Sequence, residues 1–153
     1  MKYSIFDVAN WFLQKEEMTP KKLQKLCYYA QAWSLALKDS AIMDGVQFEA
    51  WVHGPVNYEL WQKCKGFGWN NVRQDYLKDV SKPIDRENEE ILESVWETYG
   101  DLYGSQLEAL THTEEPWIKA RGDLGAFDLS HENISYDDMK RYYKKIYIGD
   151  QGD

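Results

Sequence analysis

Three histidines, His53, His112 and His131, and two cysteines, Cys27 and Cys64, are the side chains of this chain best suited to proton transfer, nucleophilic attack or metal binding. Their spacing argues against all three. The cysteines lie far apart with no CxxC pair, and the chain contains no HExxH, no GxSxG, no phosphate-binding glycine loop and no GxGxxG. No catalytic residue, metal or cofactor is therefore expected, and both thiols read as reduced and packed. One catalytic alternative stays open: a small hydrolase using His53 or His112 with a nearby carboxylate, which would show a polar cleft and perturbed titration.

Binding is better supplied than chemistry. The stretch Trp51-Val52-His53-Gly54-Pro55-Val56 joins a backbone made free by glycine to one fixed by proline, which makes a rigid strand-to-helix corner. There the His53 ring is expected to bond to backbone and pin the turn. In Thr111-His112-Thr113-Glu114-Glu115-Pro116-Trp117 a helix ends, Thr113 is placed to cap the next one, and Trp117 should pack. Residues 75–115 hold 12 acidic against 3 basic side chains, and Glu90, Glu93 and Glu97 share one helix face within them. Such a strip ordinarily keeps a surface solvated, and the alternative is a face that steers a basic partner. The candidate partner-binding set is thus Trp51, His53, Gly54, Pro55, Val56, Glu90, Glu93, Glu97, His112 and Trp117. With 7 Trp, 11 Tyr and 5 Phe, the chain has more aromatic surface than a small core needs.

The elements that must position these residues follow from periodicity and punctuation. Ser4 and Asp7 form a capping-box pattern before Ile5, Val8, Ala9 and Phe12, which predicts a helix to about Glu17. Thr19-Pro20 starts a second helix to about Lys38, apolar almost all round from Leu26 to Leu37 and so the expected buried centre; Tyr28, Tyr29 and Trp33 on it read as core. Asp44-Gly45 between short β-favouring runs predicts a hairpin with a type I′ turn, broken by His53-Gly54-Pro55. A third helix follows over 56–65, and 66–84 reads as irregular. A fourth helix starts at Asp85 with Ile91, Leu92, Val95, Trp96 and Tyr99 on its apolar face. Short helices over 105–111 and 116–121 precede a last one over 135–148 with Tyr136, Met139, Tyr143, Ile146 and Tyr147 inward. The predicted architecture is mainly α, a compact helical bundle around a buried central helix, with one small β-hairpin.

Composition narrows the partners. The 153 residues fit one domain, 1–153, and a net charge of −8 repels phosphate backbones, so direct nucleic-acid binding is not expected. No run reaches the roughly 20 apolar residues that span a bilayer. MKYSIFDVANWF lacks the order of a secretion signal, so the expected location is cytoplasmic, without membrane association.

Three blocks together resemble a known family: Asp7-Val8-Ala9-Asn10-Trp11-Phe12-Leu13, then 18–33 (MTPKKLQKLCYYAQAW), then 49–56 (EAWVHGPV). This pattern is similar to the Panacea domain of SocA-like antitoxins and GepA-like phage-associated proteins. It covers residues 5 to about 65 well and continues more weakly through Leu107, Thr111-His112 and Pro116-Trp117. The resemblance implies a mainly helical antitoxin that neutralises a cognate toxin, encoded by the adjacent gene, through direct protein contact. It brings no catalytic residues. Some relatives carry an added helix-turn-helix; because the resemblance begins almost at Met1 and the sequence runs only a little past the last predicted helix, none is expected here. The runner-up function is a proteolytic adaptor that hands a bound protein to a protease.

Overall fold

A computed structural model describes residues 2–147. Helix α1 runs Ile5–Lys15 and opens on the predicted capping box: Ser4 Oγ accepts from the Asp7 amide at 3.2 Å while the Asp7 carboxylate accepts from the Ser4 amide at 2.9 Å. The second Asp7 oxygen takes the Lys82 amide at 2.7 Å, so one buried cap also ties down a segment far along the chain. The helix stops at Lys15 rather than Glu17, because Glu16 is already extended (φ −168°) and Met18 pairs with Val72.

Helix α2, Pro20–Lys38, is capped by Thr19 and buried without interruption from Lys22 to Ala36. Gln31, fully buried within it, accepts from the Met43 amide and donates to the Met43 carbonyl, both at 3.0 Å, and so a polar group in the core is satisfied by the following segment. That segment contains the predicted Asp44-Gly45 turn, but not a hairpin around it. Gly45 does take positive φ (66°), yet Met43 pairs with Tyr3 and is held by Gln31 instead of by a strand on the far side of the turn.

The hairpin lies further on. Strand β1, Glu49–Trp51, pairs antiparallel with β2, Gly54–Val56, in the register Glu49↔Val56, Ala50↔Pro55 and Trp51↔Gly54. His53-Gly54-Pro55 therefore forms the turn and second strand rather than breaking the hairpin. Its two loop residues, Val52 and His53, both keep negative φ, and the left-handed conformation falls on Gly54 (φ +106°), so the turn is not type I′. The free edge of β1 is covered by residues 132–134: the Ala50 amide donates to the Glu132 carbonyl at 2.9 Å and the Ile134 amide to the Phe48 carbonyl at 2.7 Å.

Helix α3, Tyr58–Cys64, is capped by Asn57, and α4, Arg86–Tyr99, by Asp85. Helix α5 spans Gly104–Thr111, α6 Glu115–Arg121 and α7 Tyr136–Tyr147. The α6 N-cap is Glu114, not Thr113, whose hydroxyl instead donates back to the Leu110 carbonyl at 2.7 Å. The predicted helical end at Ile148 lies outside the described residues.

Among the described residues α1, α3, α4, α5 and α7 pack around α2, giving the expected mainly α bundle. Helix α7 covers it most extensively, with Tyr143 in edge contact with Tyr28 and Tyr29 at 6.1 and 5.9 Å and Tyr147 against Trp33 at 4.4 Å. From α4, Tyr99 stacks on Tyr29 at 4.0 Å. Each such buried aromatic contributes roughly 1.5–3 kcal/mol through removal from water. Glu114, also buried, accepts the hydroxyls of Tyr29 (2.8 Å) and Tyr143 (2.7 Å), which joins α2, α6 and α7 at one carboxyl.

Candidate partner-binding corner

The hairpin turn packs directly on the first half of α2 and the end of α5. A Cβ on Gly54 would stand 2.7 Å from Lys25 Cε and 3.0 Å from Thr111 Oγ1, so both its positive φ and the space require glycine. Pro55 turns its carbonyl inward, where Lys25 Nζ donates to it at 3.4 Å. Lys25 is 1% exposed. Burial pushes its ammonium down to about 7, Lys21 adds repulsion in the same sense, and Glu108 opposes them.

Above this buried cation lies a charged rim. Glu108 bridges Lys21 Nζ at 2.6 Å and His53 Nδ1 at 3.0 Å. Partial burial disfavours its charge, but the hydrogen bonds and charges of Lys21 and His53 outweigh that and hold its carboxyl below the usual range. His53 thus meets a side chain, not the backbone expected from the sequence, and most of its ring faces solvent. His112 stacks on Trp117 at 4.0 Å, and Trp117 Nε1 donates to the Trp51 carbonyl at 2.9 Å. Burial lowers the pKa of His112 against the raising effects of Glu108 and the Val52 backbone, and its Nε2 is buried with no hydrogen-bond partner among the described residues. On the outer side, Trp51 contacts Trp61 at 5.3 Å and His131 at 5.9 Å, while half-exposed Tyr58 lies 5.7 Å from Trp61.

Trp51, His53, Gly54, Pro55, Val56, His112 and Trp117 therefore converge, whereas the glutamates of the acidic strip do not join them. Glu90, Glu93 and Glu97 sit on α4, which packs on α1 and α2; Glu93 pairs with Lys15 at 2.7 Å, and Glu90 and Glu97 point to solvent. Within the corner, Lys21, Lys25 and Glu108 are not among the candidate residues, and Thr111 reads from sequence only as a helix end and a point of family resemblance. One signal was available: Lys21 and Lys22 occupy the first turn of α2 with no acidic residue there, against the helix dipole, a local conflict that marks a tertiary requirement.

Chemically, the arrangement presents hydrogen-bonding and aromatic groups on a fixed turn. The cysteines stand apart from it, buried, with burial pushing Cys27 well up and Cys64 to about 11, so neither is a ready thiolate. Among the described residues no group of three or more His, Cys, Asp or Glu is placed to hold a metal ion, and no helix is long and apolar enough to cross a membrane.

Comparison with known proteins adds sequence evidence to this geometry. The family model described as "Antitoxin SocA-like, Panacea domain" matches residues 23–118, from the start of α2 through the corner and into α6. Antitoxin SocA of Caulobacter vibrioides (strain NA1000 / CB15N) is 33% identical over 125 residues, a stretch covering 72% of this chain and 66% of that relative's length. No solved structure matches.

Proposed function

Because the chain belongs to the family of SocA-like antitoxins built on the Panacea domain, we propose that it is an antitoxin: it binds a cognate toxin protein, encoded by the adjacent gene, and blocks it by direct contact in the cytoplasm. The observation that carries this reading is the family match itself, which spans both the buried α2 and the corner that packs on it. The rim of His53, Glu108 and Lys21, with the aromatic groups beside it, supplies the polar and ring contacts that protein interfaces favour. The whole chain, 1–153, acts as one unit, and each partner stabilises the folded form of the other by mass action.

Coexpression tests the proposal. The adjacent gene's product alone should arrest growth, coexpression with this chain should restore it, and the two proteins should copurify. Rescue without a detectable complex, or a neighbouring product that is not toxic, would overturn it. Loss of the toxin only in cells that retain an energy-dependent protease would replace blocking by delivery.

A further inference from the structure

The most exposed large apolar side chains after α6 lie on a loop that the family match does not reach. Phe127 and Leu129 are 88% and 84% exposed, and Leu124 before them is 42% exposed. Yet the loop, residues 122–130, is firmly built. Arg121, itself buried, donates to the carbonyls of Ala50 at 2.9 Å, Gly125 at 2.8 Å and Asp128 at 2.7 Å, and its guanidinium lies 5.1 Å from the Trp117 ring. Asp128 closes the loop from within: its carboxylate accepts from the Gly125 amide at 2.7 Å, and its own amide donates to the Gly125 carbonyl at 3.1 Å.

A buried cation thus holds in shape a loop whose largest side chains contribute little to the core. Order of this kind reduces the entropy lost on binding, and apolar anchors held in place are the usual centres of interfaces. Charge indicates the partner. Asp123, Asp128 and Glu132 are exposed around these anchors and form no ion pair among the described residues. The matched region ends at residue 118, so the loop belongs to the part of the chain outside the family pattern.

We propose that loop 122–130 is the specificity-determining docking element for the toxin, with Phe127 and Leu129 entering an apolar cleft whose rim carries Lys or Arg facing Asp123, Asp128 and Glu132. This rests on the antitoxin reading above. The test compares the full-length chain with the double variant Phe127→Ser, Leu129→Ser, and with Phe127→Ser alone should the pair disturb folding; an unchanged helical spectrum and melting midpoint establish that the loop change is local. Titrated against the adjacent gene's product, the variant should bind at least about 30-fold more weakly, a hot-spot loss, and should fail to rescue growth. Asp123→Asn with Glu132→Gln should slow association and reduce its salt dependence; Asp128 is left intact because it closes the loop. Wild-type binding by the serine variant overturns the loop assignment while leaving the antitoxin reading in place. A wild-type dimer that the serine variant converts to monomer, with toxin binding unchanged, assigns the loop to self-association and also overturns it. Failure of the wild-type chain to bind or rescue removes the antitoxin reading and the loop's role with it.

Discussion

Replacing Lys25 by Met should remove the rise in stability with pH that this one lysine contributes. Lys25 titrates at about 7 in the folded protein against its ordinary 10.5. A base whose pKa is lowered by folding binds more protons in the unfolded chain, so between about pH 7 and 10.5 its contribution to stability improves as pH rises, by up to about 1.4 kcal/mol per pH unit. Integrated from those two pKa values, ionisable Lys25 costs the fold about 4 kcal/mol at pH 7 and about 2 kcal/mol at pH 9 relative to a neutral group. Met has a similar unbranched length, carries no charge, and loses only the long hydrogen bond to the Pro55 carbonyl. Lys25→Met should therefore be the more stable protein at pH 7, and its lead should shrink by about 2 kcal/mol on going to pH 9. Buried Cys27 and the buried tyrosines push stability the other way at alkaline pH, but both proteins share them, so they drop out of the difference. Urea unfolding followed by tryptophan fluorescence at pH 7, 8 and 9 measures the gap. A gap that stays constant across that range would refute the account of Lys25 as a desolvated ammonium.

Gly54→Ala should lose about 2–5 kcal/mol, combining positive-φ strain with displacement of Lys25 and Thr111, and its thermal midpoint should fall by roughly 5–15 °C. A midpoint within about 2 °C of wild type would mean the turn repacks freely. Trp33→Ala, which removes a ring packed against Tyr99 and Tyr147, should cost about 3–5 kcal/mol in denaturant unfolding; a loss below about 1 kcal/mol would place that ring outside the core. Changing Glu90, Glu93 and Glu97 together to Gln should slow association with the toxin and flatten its salt dependence while leaving dissociation unchanged, as stopped-flow binding would show. An unchanged on-rate would leave α4 with solubility as its sole electrostatic role.

The helices were legible because caps and periodicity are local signals. Ser4 with Asp7, Thr19 with Pro20, and Asp85 each start a helix as their side chains dictate, and the apolar run of α2 marks it as the centre. The hairpin was not, because its position depends on partners distant in sequence. Asp44-Gly45 has the right turn chemistry, but Gln31 and Tyr3 claim the backbone beside it. Conversely, Pro55 looks like a strand breaker and is accepted because its carbonyl, rather than an amide, faces Lys25. Within the corner, His53, His112 and Trp117 were found by residue type, whereas Lys25 and Glu108 act through contacts that no short spacing encodes. Arg121 was unremarkable in sequence for the same reason: all its acceptors are backbone carbonyls.

The cover that α7 provides for α2 also sets an order of events during synthesis. Tyr28 and Tyr143, joined by a hydrogen bond between their hydroxyls, are 115 residues apart. A ribosome adding roughly 5–20 residues per second takes on the order of 10 s to travel between them. For that interval the most extensively buried of the described helices has emerged without its principal neighbour, and the Tyr29 hydroxyl waits for Glu114 as well. Completion of the core is thus a late, long-range step, with the loop closure and slow folding that such contacts entail. A nascent or shortened chain that lacks α7 exposes the tyrosine face of α2, a hydrophobic surface open to chaperones and proteases, and only the finished chain withdraws it.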